Sequence, residues 1–145
     1  NENNHSNMNI FGNGGNDTIT AGTANDTIDG GAGNDILSGG AGSDIFVFAF
    51  KPGSSNIDTV TDFTVGEDTI QLSKKVFKVF AKVTFGADNF VNGTAAADID
   101  DYLIYDPTSG TLYYDADGSG SKSAAIEVAI IGNNADVSFS DIAVA

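Results

Sequence analysis

The chain of 145 residues contains no cysteine and no arginine, one histidine and two prolines. The lack of cysteine excludes a disulfide scaffold, and with His5 as the sole imidazole there is no material for a zinc or copper site built from Cys/His clusters. Stability has to come from packing and from bound ions of another kind. No apolar run approaches the roughly 20 residues that a membrane-crossing helix requires. The opening Asn1-Glu2-Asn3-Asn4 has neither the basic nor the apolar region of a secretory leader; since the chain does not begin with methionine, it reads as a fragment, and the leader's absence carries little weight.

Positive charge is also scarce. Six lysines face 20 acidic residues, a formal charge of −14, so a phosphate backbone would be repelled and nucleic acid is excluded as an expected partner. Glutamate is nearly absent too, at Glu2, Glu67 and Glu127 only. Short aspartate carboxylates among glycines suit a hard, oxygen-liganded cation better than a helix surface, and calcium is the leading candidate.

What is abundant is glycine, and it is periodic. Residues 12–47 resolve without gaps into four blocks of nine: GNGGNDTIT, AGTANDTID, GGAGNDILS and GGAGSDIFV. Position six is Asp17, Asp26, Asp35 and Asp44, while position eight is Ile19, Ile28, Leu37 and Phe46. A fixed period of this kind marks a repeat architecture. Glycine and asparagine at the first five positions permit tight turns and leave carbonyls free to converge, which makes each turn a cation cradle. The last three residues alternate in an extended strand, so position eight faces inward and its neighbours face out.

Two nonapeptides complete one coil, which places Asp17 near Asp35 and Asp26 near Asp44. Each pair is like-charged, and glycine-rich turns lose much entropy on ordering. A divalent cation between turns removes both obstacles and couples binding to folding, contributing about 2.7 kcal/mol per site when free ligand is 100-fold above Kd. The expected fold class is all-β: a parallel β-roll over residues 1–50 and a β-rich cap with one short helix over residues 51–145.

These blocks resemble the RTX (repeats-in-toxin) family, whose consensus is G-G-x-G-x-D-x-(large apolar)-x. Blocks three and four match every defining position; block one has Asn13 for a glycine, and block two has Ala21 and Ala24. The resemblance implies that Ca²⁺ is held by aspartates and carbonyls of two turns on the same edge. For one ion it implies Asn13, Gly15 and Asp17 with Gly30, Ala32 and Asp35. For a second it implies Gly22, Ala24 and Asp26 with Gly39, Ala41 and Asp44, and the adjoining Gly31, Gly33, Gly40 and Gly42 are counted with these metal-site turns. Residues 1–11 read as one worn repeat, with Ile10 at position eight but Met8 where aspartate belongs. Beyond Val47, Asp58 and Asp62 of NIDTVTDF resemble the stretch that closes a terminal ion site against blocks three and four.

Further along, short alternating runs at 57–63, 68–72, 102–105, 111–114 and 126–131 read as strands, with Asp106-Pro107-Thr108-Ser109-Gly110 as the turn of an antiparallel hairpin. They would cover the open end of a roll, whose bare strand edges invite aggregation. The segment KKVFKVFAK, Lys74 to Lys82, holds four of the six lysines and one apolar face. It could dock on a membrane or a partner; the simpler reading packs that face on the cap and leaves the lysines solvated. Asp115 to Gly120 looks like the first half of an EF-hand loop, but Glu127 lies one residue past the bidentate position, which favours an acidic hairpin turn over an accessory calcium site.

No catalytic site is expected. His5 has no evident nucleophile or orienting acid beside it, and the Asp100/Asp101 and Asp115/Asp117 pairs are more simply solvated loop residues than glycosidase carboxylates. Two Asn-Asp-Thr triplets fit the glycosylation pattern only because the repeat contains them. The chain's end, Asp141-Ile142-Ala143-Val144-Ala145, resembles the uncleaved signal of type I secretion substrates. The resemblance implies a secreted or cell-surface bacterial protein, a type I ABC exporter as partner during export and N-terminal passenger domains ahead of this module. The other reading is a calcium-dependent adhesion or ligand-binding domain; deleting the last residues separates the two.

Overall fold

The computed structural model describes residues 5–145, so the first four residues of the worn repeat lie outside the described part. The nonapeptides make strands β1 (Asn9–Phe11), β2 (Thr18–Thr20), β3 (Thr27–Asp29), β4 (Ile36–Ser38) and β5 (Ile45–Phe48). Beyond them come β6 (Asp58–Val60), β7 (Thr69–Leu72), β8 (Phe90–Asn92), β9 (Leu103–Asp106), β10 (Thr111–Tyr114), β11 (Ile126–Ile131) and β12 (Ile142–Val144). Among the described residues the helical pieces are 3₁₀ turns at Lys78–Ala81, Ala87–Asn89 and Phe139–Asp141.

Alternate strands go to opposite sheets, as a coil of two nonapeptides demands. One sheet runs β1-β3-β5-β7-β12, and the other runs β2-β4-β6-β11-β10-β9-β8. Every pairing in the first is parallel. In the second, β2, β4, β6 and β11 are parallel neighbours, after which β11, β10 and β9 turn antiparallel. The parallel ladders therefore do not stop where the glycine pattern stops. They continue through β6 and β7 and accept β11 and β12 from the end of the chain.

Register turns position eight into two stacked rows. Ile10, Ile28, Phe46, Ile70 and Ile142 lie opposite one another in the first sheet, and Ile19, Leu37, Val60 and Ile131 in the second. Ile28, Leu37, Phe46, Val60 and Ile70 are fully buried, while Ile10 and Ile19, in the first coil, are only half covered. The interior is one side chain thick on each side, so each position matters; truncating a fully buried Leu costs on the order of 2–5 kcal/mol.

The cap has its own aromatic core. Phe77 and Phe80 of the lysine-rich segment are buried and meet Tyr114 at ring-centroid distances of 5.1 and 6.0 Å. Val76 and Val79 pack against the same cluster, and the lysines stay exposed. The expected short helix is thus a 3₁₀ turn whose apolar side chains are consumed by the core. The hairpin of β9 and β10 forms with Asp106 opposite Thr111. The EF-hand-like stretch joins strands β10 and β11: Asp115 accepts the Asp117 N–H, and Asp117 accepts those of Lys122 and Ser123.

Candidate metal centre

In each glycine-rich turn the aspartate at position six sits where the turn becomes a strand, and it is bound to the next coil. The backbone N–H of Asp17 donates to Asp35 Oδ1 at 2.8 Å, and that of Asp26 to Asp44 Oδ1 at 2.8 Å. Asp35 N–H donates to Asp58 Oδ1 at 3.1 Å, and Asp44 N–H to Asp68 Oδ1 at 2.9 Å. Even Met8, in the worn repeat, donates its N–H to Asp26 Oδ1 at 2.8 Å. Each coil edge is thus a column of stacked carboxylates, and both pairs expected from the spacing of eighteen, Asp17 with Asp35 and Asp26 with Asp44, are brought together.

The second carboxylate oxygen is the informative one. Asp17 Oδ2, Asp35 Oδ2 and Asp44 Oδ2 are buried and have no hydrogen-bond partner. They point back into their own turns, so close to Gly12, Gly30 and Gly39 that a Cβ at any of these glycines would meet the oxygen. An ionised oxygen left unpaired and out of water is costly, and few native groups are left so without reason. A hard cation that seeks oxygen fits the place. Asp26, in the block with alanines, differs: its Oδ2 accepts the Gly22 N–H at 3.1 Å.

Turn backbone supplies the rest of the cradle. Asn13, Gly15, Gly31, Gly33, Gly40 and Gly42 all have positive φ, which turns consecutive peptide groups toward the stack. At Gly31 and Gly33 nothing larger fits, because a Cβ would run into the carbonyls of Asn13 and Gly15 in the preceding coil. Gly40 and Gly42 stand in the same relation to Gly22 and Ala24. Ala32 ties the turns of its edge, donating to the Asn13 carbonyl and accepting from the Gly15 N–H, each at 2.9 Å; Ala41 donates to the Gly22 carbonyl at 3.1 Å. Among the described residues no group of three or more His, Cys, Asp or Glu side chains forms a cluster suited to a metal. A cation in these turns would draw on carboxylates one per turn and on main-chain carbonyls.

Asp58 and Asp62 do different things. Asp58 extends the column of Asp17 and Asp35, whereas Asp62 embraces the start of block four, accepting from Gly39 N–H, Gly40 N–H and the Ser38 hydroxyl. Burial pushes the Asp58 carboxyl up to about 7, with the charge of Asp35 adding to the rise and the Asp35 N–H opposing it. Burial likewise raises Asp44, against the pull of the Asp26 N–H and helped by the charges of Asp68, Asp26 and Asp62. Asp68 is raised by burial as well. Without a cation Asp44, Asp58 and Asp68 resist ionisation.

Sequence reasoning missed Asp68 and Asp141. Asp68 accepts the N–H groups of Asp44 and Thr64, and the buried Asp141, placed before β12 as Asp68 is before β7, accepts those of Gly66 and Ser138. A signal did exist: Asp-Thr-Ile at 17–19 and 26–28 recurs as Asp-Thr-Val at 58–60 and Asp-Thr-Ile at 68–70, outside the glycine pattern.

Stacked coils with an inward apolar residue and an aspartate-bearing glycine turn per half-coil define a parallel β-roll with cation-binding turns. Residues 11–46 match the model of the RTX calcium-binding nonapeptide repeat in four copies, so this segment is an RTX array and calcium is its ion. The chain is also similar to solved structures. The solution structure of the AlgE6R3 subunit from the Azotobacter vinelandii mannuronan C5-epimerase is 24% identical, with 95% of this chain and 79% of that chain covered and a TM-score of 0.44. The AlgE6R2 subunit of the same source is 25% identical, with 94% and 89% covered and a TM-score of 0.48. No curated protein matches the chain. Among the described residues no helix is long and apolar enough to cross a membrane.

Proposed function

We propose that this chain is a calcium-triggered folding module that accompanies a larger exported bacterial protein, and that it works by binding ions rather than by catalysis. The observation that carries the reading is the set of three buried, unpartnered carboxylate oxygens on Asp17, Asp35 and Asp44. A fold with such groups is poorly stable at low calcium and gains stability when ions fill the turns. In a calcium-poor cytosol the roll stays open and the chain remains threadable; outside the cell, calcium near the 10⁻⁴ to 10⁻³ M range of weak extracellular modules, as an order of magnitude, closes it. Residues 1–50 form the ion-binding roll and residues 51–145 the cap, with Asp58 and Asp62 joining the last turns of the array. A type I ABC exporter reads the end of the chain, and the passenger lies ahead of the repeats.

Two measurements test this. Far-UV circular dichroism of the whole chain, titrated with calcium, should show strand signal growing with the ion; a spectrum indifferent to calcium rejects the folding step. Export of a fused passenger through a type I system should fail when residues 141–145 are deleted. Normal export of the truncated chain rejects the secretion role and leaves the ion-binding one standing.

A further inference from the structure

One of the four array turns is built unlike the others. In blocks one, three and four the second oxygen of the position-six aspartate, on Asp17, Asp35 and Asp44, is buried with no partner. In block two both oxygens of the buried Asp26 are taken by the protein itself: Met8 donates its N–H to Oδ1 at 2.8 Å and Gly22 its N–H to Oδ2 at 3.1 Å. The position-two N–H goes elsewhere in blocks three and four, from Gly31 to Asp29 Oδ1 at 3.0 Å and from Gly40 to Asp62 Oδ2 at 2.9 Å, which leaves the second oxygens of Asp35 and Asp44 open. Two alanines account for the difference. A Cβ at position one of the other blocks, on Gly12, Gly30 or Gly39, would lie closer than 3.0 Å to the free oxygen; block two has that Cβ, on Ala21, so its aspartate cannot place Oδ2 there. At position four, Gly15, Gly33 and Gly42 have φ of +109°, +139° and +128°, whereas Ala24 is not among the residues of positive φ, in keeping with the cost of a Cβ in the left-handed region. The turn lacks a left-handed position four as well as a free carboxylate oxygen.

We infer that the 21–26 turn gives no carboxylate to a calcium ion, and that Ala21 and Ala24 are the residues that exclude it. The Gly22 N–H points its positive end at Asp26 Oδ2, and this charge-assisted hydrogen bond supplies the compensation that the matching oxygens of Asp17, Asp35 and Asp44 lack. Calcium then loads the two edges of the array unequally. The edge of Asp17 and Asp35 carries two open oxygens, while the edge that runs through Met8, Asp26, Asp44 and Asp68 carries one, on Asp44. In exchange, Asp26 fastens Met8 of the worn repeat to the next coil with no ion needed. With calcium as the ion of the array, on which this rests, the alanines decide which aspartates meet it.

The test is the calcium stoichiometry of the whole chain, measured by equilibrium dialysis at saturating calcium, with circular dichroism to establish that each variant is folded. Asp17→Asn and Asp44→Asn keep Oδ1 as an acceptor and put an amide nitrogen, which cannot ligate a cation, where the open oxygen stood. Each should bind fewer ions than the parent. Asp26→Asn makes the same change in the closed turn, where it breaks the bond from the Gly22 N–H; it should bind as many ions as the parent. The double variant Ala21→Gly, Ala24→Gly restores the full consensus turn and should bind more calcium than the parent, and adding Asp26→Asn to it should remove the gain. A stoichiometry lowered by Asp26→Asn as much as by Asp44→Asn overturns the proposal, and so does a folded double variant that gains no calcium. If the double variant does not fold, the comparison of Asp26→Asn with Asp17→Asn and Asp44→Asn decides alone. A parent that binds no calcium overturns the calcium reading and this proposal with it, whereas a calcium-binding parent that loses an ion with Asp26→Asn overturns this proposal only.

Discussion

The backbone N–H of Asp17 donates to Oδ1 of Asp35 across 2.8 Å, while the other oxygen of Asp35 is buried without a partner. One half of the carboxylate joins two coils, and the other half has no protein partner and is the oxygen proposed above to meet a cation. Structure and ion binding are therefore properties of the same side chain, and removing either function disturbs the other.

Calcium removal is the broadest consequence. Chelation should take away about 2.7 kcal/mol for each site that was held at 100-fold above its Kd, a large share of the margin of a domain this size. Differential scanning calorimetry with and without chelator should show a large fall in Tm. An unchanged Tm would mean the ions are incidental.

Asp35 lies between the Asp17 coil and the Asp58 coil, and its loss should be felt on both sides. Asp35→Ala leaves the Asp17 N–H without its acceptor, a cost of about 1–3 kcal/mol, and takes away a carboxylate proposed above as a calcium ligand. Isothermal titration should show lower calcium stoichiometry and a larger loss of Tm than Asp17→Ala, which acts at the open first coils. Equal effects of the two variants would contradict the column.

Without calcium, acid should favour the fold. The Asp58 carboxyl rises from 3.8 to about 7 in the folded chain, and Asp44 and Asp68 rise as well. A folded value above the unfolded one means protonation favours the native state: the contribution is complete below about 3.8 and is lost as pH rises through about 7. Calcium-free protein should melt higher at pH 5 than at pH 8. With saturating calcium the order should reverse, because protons then compete with the ion for the same carboxylates.

Gly33 combines φ of +139° with a Cβ position that falls on the Gly15 carbonyl. Gly33→Ala should cost more than the roughly 1–2 kcal/mol of a left-handed backbone alone, whereas Gly86→Ala, with open space at its Cβ position, should be close to neutral. Thermal melts in calcium make the comparison.

Asp68 accepts from both Asp44 and Thr64, although no glycine motif precedes it. Asp68→Ala should destabilise the calcium-saturated chain by about 1–3 kcal/mol for each orphaned N–H. Asp68→Asn, which keeps one acceptor oxygen, should lose less. If both variants melt like the parent, the column ends at Asp44.

Some of this was readable from the chain alone. The two-sheet roll, the Asp17/Asp35 and Asp26/Asp44 pairs and the core at Ile28, Leu37 and Phe46 follow from a strict period, because a repeat packs against copies of itself and local pattern then implies long-range contact. The β9–β10 hairpin was legible for a similar reason, since its turn chemistry is local. Asp68 and Asp141 were not. Their neighbours lie in segments of unlike sequence, and Asp141 meets Gly66 only after β12 has paired with β7.

The order of residues by itself determined the nonapeptide period, an aspartate in every turn, an apolar residue in every strand and hence a coil with calcium-binding turns. Tertiary structure alone decided how the coil is closed: β11 and β12 return from the end of the chain to extend the two sheets, and Lys51 comes to stand by Lys75 and Lys78. The physical reason is that a periodic segment specifies its partner through its own repeat. A closing strand is chosen by which apolar row and which free edge it can cover, and that information is spread over the whole fold.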